Sequence, residues 1–401
     1  MSASPQKIAR YDQPHQFEPL VPASDLGELL AATRRVLVKS SALQASASPD
    51  ARAALREITR SMNSYYSNLI EGQGTHPANI ERGLQADFSA KPDIARRQRV
   101  AVAHIEAERE LEPMIESEAQ ALGSDFLRQA HTSLYSRLPK EDRVTEDGRE
   151  IVPGELRKHD VSVGRHQPPV GGSVPLFLKR MDEVYGRLKG TDAVLYTIAA
   201  AHHRAAWVHP FEDGNGRAVR LQTHCALLPF GGGLWSVNRG LARQRDKYYE
   251  MLDNADAARQ GDLDGRGNLS QKRLWEWCTC FAQVCEDQVD FMTQMLDLSS
   301  LKQRIQAYVL VRSVEAGSEY RQEAVLPLQF LATSGALPRG DFIRMTGLGE
   351  RTGRRLIKQL LTDGLVKSDS HRGDLHIAFP LKGLNILLPA LYPEAATPVV
   401  D

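Results

Sequence analysis

The sequence predicts a mainly α-helical protein with a small β-hairpin flap and a C-terminal winged helix-turn-helix domain. Apolar residues recur at steps of three and four over most of residues 25–310, which is the spacing of amphipathic helices. That period is absent between about 140 and 175, where glycines and prolines interrupt the chain and residues 161–170 predict a hairpin. Residues 325–380 then contain three short helical patterns and two apolar runs around a polar tip, the outline of a winged helix.

The individual elements follow from this periodicity and from the residues that interrupt it. Four prolines exclude regular helix from residues 1–24, and Gly72 is expected to end the helix that precedes it. Pro229 and the three glycines after it are expected to end another helix. We predict helices over residues 51–71, 124–138, 175–207, 217–228, 241–257 and 271–312, then over 328–332, 341–346 and 351–362, with strands near 365–366 and 375–379.

Composition excludes several classes of protein. The 401 residues include 50 basic and 50 acidic side chains, so the chain lacks the excess charge of a protein that coats nucleic acid. No apolar run reaches the roughly 20 residues of a membrane span, and the first twenty residues lack the apolar core of a secretory signal. Three of the four cysteines share one predicted helix without a fourth metal ligand nearby, so we expect reduced structural thiols. These observations predict a cytoplasmic protein with no membrane contact.

The densest chemistry lies at residues 209–220 (HPFEDGNGRAVR), where a glycine-rich turn opens directly into a helix. Backbone N–H groups at such a turn form an anion pocket, and Gly214 and Gly216 permit a phosphate to approach closely. Arg217 and Arg220 lie three residues apart, so they share a helix face from which guanidinium groups bind phosphate oxygens.

Two further residues complete a site for nucleotide chemistry. Asp213 supplies a hard carboxylate oxygen of the kind that Mg²⁺ prefers beside substrate phosphates. His209 has an ordinary pKa of about 6.5, so its imidazole can take a proton from a hydroxyl at neutral pH. We expect Phe211 to anchor the loop in the core and Glu212 to be solvated.

Residues 209–220 resemble the signature of the Fic family, H-x-F-x-[D/E]-G-N-G-R-x-x-R, at every specified position. Residues 153–157 (PGELR) and 161–170 resemble the flap that holds a target segment as an added strand in that family. Arg239-Gly240 and the Tyr248-Tyr249 pair also look Fic-like, so that the resemblance covers about residues 50–290.

The resemblance implies a protein adenylyltransferase, which transfers AMP from ATP to a Ser, Thr or Tyr hydroxyl of a protein and releases pyrophosphate. It implies that His209 is the general base and that Asp213 holds Mg²⁺ between the α- and β-phosphates. The same family pattern implies that the phosphates are bound by Gly214, Asn215, Gly216, Arg217 and Arg220, the last on the γ-phosphate. Tyr248 and Tyr249 are candidates to line a base pocket, and Gly216 replaces the lysine of phosphate-transferring Doc-like relatives.

An N-terminal segment adds a regulatory expectation. Residues 67–72 (SNLIEG) place Ser67 and Glu71 on one helix face and resemble the Fic inhibitory motif [S/T]-x-x-x-E-[G/N]. The resemblance implies that Glu71 pairs with Arg220 and puts negative charge where the ATP triphosphate belongs. It leaves open a second role, in which Glu71 orients a water that removes AMP from modified targets.

Other readings also stay open from the sequence. The nucleotide could carry uracil or guanine, because no base-reading residue is identified, and the chain could be a DNA-binding regulator with a Fic nucleotide-sensing core. Arg351, Arg354, Arg355 and Lys358 share one face of the third C-terminal helix, which suits contact with DNA or docking to a protein. The target is a protein bearing a hydroxyl, the chain itself included, and a homodimer is compatible with the sequence.

We divide the chain into five segments on these patterns. The division is an N-terminal arm and first helix over 1–50, a helical region with the inhibitory helix over 51–120, the Fic core over 121–290, a connecting helix over 291–324, and a winged-helix-like domain over 325–401.

Overall fold

The computed structural model describes residues 10–187 and 192–393, and it is mainly α-helical, as predicted. The N-terminal helices are α1 (Leu26–Ala45), α2 (Pro49–Ile70), α3 (Pro77–Leu84), α4 (Pro92–Leu111), α5 (Glu118–Ala121) and α6 (Ser124–Ser136). The middle of the chain forms α7 (Val174–Tyr185), α8 (Val194–Val208), α9 (Asn215–Gly231), α10 (Val237–Arg243), α11 (Arg245–Ala255) and α12 (Gln271–Met295). The last elements are α13 (Leu298–Ser313), α14 (Val325–Ser334), α15 (Arg339–Thr346), α16 (Glu350–Thr362), β1 (Val366–Lys367), β2 (His376–Ile377) and α17 (Leu384–Leu387).

Helices α8 and α9 form the centre of the fold, and almost all of their side chains are buried. They pack against each other, with α12 against α8 and α6 against α9. Helix α2 packs against α4 and α10, and it also contacts α14 and β2. The loop between α8 and α9 is therefore held at both ends by helices that are themselves fixed by their neighbours.

Three predicted helix boundaries were wrong. Residues 175–207 contain two helices, because α7 ends at Tyr185 and α8 begins only at Val194. Residues 271–312 also form two, since the Asp297 side chain accepts the Ser300 N–H at 2.9 Å and caps a new helix. Pro229 lies inside α9 rather than ending it, because in the last turn it removes only one backbone hydrogen bond before Gly232 ends the helix at φ 62°.

The predicted flap hairpin is reduced to a single bridge between Val163 and His166. Pro168 and Pro169 lack N–H groups, so the second run cannot supply the donors of a strand. The segment is held instead by side chains and by the Val170 N–H, which donates to the Tyr11 carbonyl at 2.9 Å.

The C-terminal elements follow the predicted order of three helices and two antiparallel strands, with Val366 opposite Ile377. Gly353 allows α15 and α16 to meet, since a Cβ there would lie 2.8 Å from Ile343 side-chain carbons. The basic face of α16 is exposed, although Arg354 and Arg355 are paired with Glu350 and Glu319. The winged-helix identity, its contact with DNA and the five segment boundaries stay predictions.

Two further expectations concern the whole chain. The four cysteines are free thiols, and three of them are buried. Among the residues that the structure describes, no helix combines the length and apolar character that a membrane crossing requires.

Candidate active site

His209 follows directly on helix α8 and adopts a left-handed conformation with φ 48° and ψ 62°. A non-glycine residue is strained in this region, so something must hold it there. The Arg157 guanidinium, 2% exposed, donates to the carbonyls of His209 at 2.6 Å and Val208 at 3.2 Å. It also donates to the carbonyls of His159 at 2.8 Å and Pro169 at 2.5 Å, so one side chain fixes both the flap segment and the turn at His209.

The environment of His209 keeps its imidazole neutral. Burial, together with the positive charge of Arg157, lowers the pKa of His209 to about 4. A neutral imidazole at pH 7 has a free lone pair, so His209 can accept a proton from a hydroxyl placed beside it.

The glycine-rich loop is anchored from below. Phe211 is fully buried, and the Asn215 side chain closes the loop by accepting from the Phe211 N–H at 2.8 Å and donating to its carbonyl at 2.9 Å. Gly214 has φ 74°, and a Cβ there would lie 2.3 Å from the Tyr135 ring. The loop conformation therefore requires glycine at 214 for both backbone and space.

Asp213 lies at the edge of this loop with its side chain 44% exposed. Its Oδ1 accepts the Gly214 N–H at 2.6 Å, and the Tyr135 hydroxyl lies 3.4 Å from Oδ2. A half-exposed carboxylate beside an anion loop is a suitable ligand for Mg²⁺, which keeps several waters when bound.

His131, on helix α6, was missed by the sequence reasoning. Its Nδ1 accepts the Gly154 N–H at 2.9 Å, so Nε2 carries the proton and donates to the Asp213 carbonyl at 3.1 Å. Its ring stacks on Phe211 at 4.0 Å and on Tyr135 at 4.5 Å. In the sequence, His131 and Tyr135 are four residues apart and so share one face of the helix. This spacing did not indicate that the two side chains contact the glycine-rich loop.

The two arginines of the motif are buried and oriented by hydrogen bonds. Arg217 donates to Gln73 Oε1 at 2.8 Å and to the Tyr135 hydroxyl at 2.9 Å. Arg220 donates from Nε to Ser67 Oγ at 2.9 Å and from Nη2 to the Ser67 carbonyl at 3.1 Å. Nη2 also makes a salt bridge with Glu71 Oε1, so the end of helix α2 occupies the second arginine of the motif.

Glu71 is held in its charged form at this position. Burial would raise its pKa, but the charges of Arg220 and Arg217 outweigh that effect and lower it below the ordinary value. A Cβ on Gly216 would lie 2.3 Å from Glu71 Oε1, so glycine at 216 lets the carboxylate reach the loop itself. The structure thus brings Ser67, Glu71 and Arg220 together.

The two tyrosines of α11 lie at the end of helix α2 in different settings. Tyr248 is buried, and its hydroxyl lies 2.9 Å from His202 Nε2. Tyr249 is 40% exposed and donates to the Ile70 carbonyl at 3.2 Å. Of the two, Tyr249 has the exposed ring that a base pocket needs.

Beneath the site, a buried polar cluster joins helices α2, α4 and α9. His224 Nε2 lies 3.2 Å from Glu108 and 3.0 Å from Glu112, and Asn63 donates to Glu108 at 2.9 Å. Burial raises the pKa of Glu108 to about 7, whereas hydrogen bonds and charges around Glu112 hold its pKa at about 2.

Glu212 is not solvated as expected. Its side chain pairs with Arg149 at 2.8 Å and with His159 at 3.0 Å, and it is 15% exposed. Glu212 therefore joins the glycine-rich loop to Arg149 and His159.

Comparison with known proteins places this loop in a family. Residues 121–227 match the model of the Fic/DOC family. This segment is a Fic domain. Among curated relatives of the chain, the "Protein adenylyltransferase Fic" of Drosophila virilis is 26% identical over 219 residues, which is 54% of this chain and 42% of the relative. The protein of the same name from Drosophila yakuba is 33% identical over 114 residues, 28% of this chain and 22% of the relative.

The match to these relatives covers less than half of their length. The fold extends further: a crystal structure of a Fic family protein from Desulfovibrio desulfuricans G20 superimposes with a TM-score of 0.51, over 89% of this chain and 98% of that one. Their sequences are 16% identical, so this similarity concerns the fold alone.

Proposed function

We propose that this Fic-family protein transfers AMP from ATP to a Ser, Thr or Tyr hydroxyl of a protein and that Glu71 inhibits the transfer. The observation that carries the proposal is the occupation of buried Arg220 by Glu71 beside Gly216, in a loop whose first residue is a neutral histidine. The names of the curated relatives support the same activity.

In the proposed reaction, the target hydroxyl approaches His209, whose imidazole takes the hydroxyl proton. The hydroxyl oxygen attacks the α-phosphorus, the bond from that phosphorus to the bridging β-oxygen breaks, and pyrophosphate leaves with ATP's β- and γ-phosphates. Arg217 and the N–H groups at the start of α9 face the phosphates and stabilise the charge that develops. Asp213 would hold Mg²⁺, which when bound supplies positive charge against the α- and β-phosphates.

Inhibition follows from competition for Arg220. For the α-phosphorus to lie in line with the hydroxyl, the γ-phosphate must be held at the far end of the loop. We assign that contact to Arg220, whose guanidinium is instead bound by Ser67 and Glu71. The Glu71 carboxylate also repels the triphosphate. In the inhibited enzyme, ATP therefore binds with its α-phosphorus out of line with the target hydroxyl.

Removal of AMP is a second candidate activity for the same residue. Glu71 is ionised, keeps 29% of its side chain exposed and faces the loop at Gly216, so it could take a proton from a water that attacks an AMP-modified target. In that reaction the phosphodiester bond to the target hydroxyl breaks and AMP leaves.

The test compares wild type, Glu71→Gly and His209→Ala, each incubated with Mg²⁺ and ATP labelled at the α- or γ-phosphate. We expect α-label on protein with Glu71→Gly, little with wild type and none with Glu71→Gly combined with His209→Ala. Asp363→Gly, an acidic helix C-cap paired with Arg312 in the C-terminal helices, is the matched control and should behave as wild type.

Other outcomes separate the alternatives. Label from γ-labelled ATP alone would indicate phosphate transfer and contradict the proposal. Wild type that strips label from a target modified by Glu71→Gly, while Glu71→Gln does not, would favour the AMP-removing role.

A further inference from the structure

The last turn of the described chain packs against the inhibitory helix α2. Residues 388–392, here called the tail segment, follow helix α17, and Leu388, Leu391 and Tyr392 are buried. The Tyr392 ring lies 5.4 Å from Tyr65 in an edge-on contact and 6.3 Å from Tyr66 in a stacked one. The tail segment therefore covers α2 at the residues immediately before Ser67.

Hydrogen bonds fix the backbone of the tail segment in this place. The Tyr66 hydroxyl, fully buried, donates to the Leu391 carbonyl at 2.9 Å. Arg239, on helix α10, donates to the Ala390 carbonyl at 3.0 Å while its second amino group binds Gln288 at 3.1 Å. Its guanidinium lies 3.5 Å from the centre of the Phe291 ring. The tail segment is thus bound both by α2 and by the helices of the Fic core.

The C-terminal elements also bind α2 at its other end. Asp50, in the first turn of α2, accepts the Ala336 N–H at 2.7 Å and lies 3.3 Å from His376 Nδ1. Asp50 and Tyr66 are about 24 Å apart along the helix at 1.5 Å per residue. Residues 325–393 therefore contact the inhibitory helix at two well separated points.

We propose that the tail segment holds helix α2 in its inhibiting position, which makes residues 325–393 a regulator of the active site. This proposal rests on the inhibition by Glu71 proposed above. The γ-phosphate can reach Arg220 only when Ser67 and Glu71 move away from it, and both lie on the same helix end as Tyr66. Contacts of Tyr66 with the tail segment exist in the inhibited position, so they favour that state and oppose the movement.

The consequence is a coupling between the C-terminal elements and ATP. A partner that draws the tail segment away from Tyr65 and Tyr66 raises the fraction of molecules in which Arg220 is free. A partner that binds the C-terminal elements without moving the tail segment leaves the inhibition unchanged. Coupling is reciprocal, so ATP bound in line weakens the tail contact by the same factor.

Two variants test the contact without touching the catalytic residues. Tyr66→Phe removes the hydroxyl that donates to the Leu391 carbonyl and is also hydrogen-bonded to Arg239, the side chain that binds Ala390. Tyr392→Leu removes the ring contacts while keeping an apolar side chain. Adenylylation should rise at least about fivefold in Tyr66→Phe, the population change set by loss of one buried hydrogen bond, and at least about tenfold in Tyr392→Leu. Tyr185→Phe is the matched control, because its fully buried hydroxyl donates to the Leu20 carbonyl at the same 2.9 Å on helix α7.

The same changes are then made in Glu71→Gly. Because that variant already lacks the inhibition, Tyr66→Phe and Tyr392→Leu should leave its rate unchanged. Wild-type rates in both folded single variants would overturn the proposal. An equal rise in the Glu71→Gly background, or an equal rise with Tyr185→Phe, would also overturn it.

A second readout separates this proposal from the proposed activity. Amide hydrogen exchange at residues 68–71 should be faster in Tyr392→Leu than in wild type and unchanged in Tyr185→Phe. If Glu71→Gly transfers no AMP, the activity proposal fails, while this measurement still decides whether the tail segment restrains α2. Unchanged exchange would refute the restraint whatever the activity.

Discussion

Replacing Glu71 with glutamine tests whether charge holds the end of α2 on Arg220. The substitution keeps the size of the side chain and one hydrogen-bond acceptor, but it leaves the Arg220 guanidinium, whose side chain is 2% exposed, without its counter-charge. Removing one partner of a fully buried pair costs about 3–5 kcal/mol. Since 29% of the Glu71 side chain stays exposed, we reduce this to about 2 kcal/mol, which lowers the Tm of a 401-residue chain by about 2 °C.

ATP should reverse this loss. In Glu71→Gln the γ-phosphate can pair with Arg220, so the nucleotide binds more tightly than in wild type and supplies the missing charge. A ligand at one hundred times its Kd stabilises the folded state by about 2.7 kcal/mol. The assay is thermal unfolding with and without Mg²⁺ and an ATP analogue that cannot donate AMP. We expect a lower Tm for the variant alone and a larger rise with the analogue than in wild type.

The control is Glu350→Gln, which removes an exposed pair with Arg354 and should leave the Tm and the analogue shift unchanged. A Glu71→Gln protein with the Tm and the analogue shift of wild type would refute the reasoning. Charge on Glu71 would then contribute nothing to the position of helix α2.

Three further outcomes follow from the site. Gly214→Ala places a Cβ 2.3 Å from the Tyr135 ring at a φ of 74°. In the Glu71→Gly background, the folded variant should therefore transfer AMP at least about 100-fold more slowly. A smaller loss would mean that the loop tolerates the extra carbon. Arg157→Lys keeps the positive charge but loses the several N–H donors with which the guanidinium holds the carbonyl of His209 and its neighbours. AMP transfer should therefore fall at least about tenfold while the affinity for ATP is unchanged. Equal losses of transfer and affinity would instead indicate general misfolding. Because the pKa of Glu108 is raised to about 7, its contribution to stability is present below about pH 4.5 and lost as the pH rises through 7. Glu108→Gln should therefore gain stability relative to wild type between pH 5 and 8 in urea unfolding, and a constant difference would contradict this pKa.

The candidate site was predictable where its residues are contiguous. His209, Asp213 and the two arginines lie within twelve residues, and a turn that opens a helix brings them close together through local geometry. The contact of Glu71 with Arg220 spans 149 residues, and it was predicted only because a family pattern connects the two motifs. The roles of these residues in transfer and inhibition stay predictions.

Other features had no local signal. Arg157 binds four carbonyls from two segments of the chain. These contacts exist only because the flap packs against the end of α8, which the local sequence does not specify. His131 joins Gly154 to Asp213 because α6 packs on α9, which its own periodicity does not specify. Tyr392 likewise shows no pattern beyond an apolar position near the chain end.

The sequence by itself determined the mainly helical class, the order of the C-terminal elements and the glycine-rich loop of the candidate site. These depend on periodicity, glycine and proline positions and short-range spacing, whose physics acts within a few turns of chain. Only the tertiary structure decided that Arg157 holds the turn at His209, and that residues 388–392 lie on helix α2 beside Tyr66. Such contacts join residues far apart in the chain, and their energy exists only once the intervening helices have packed.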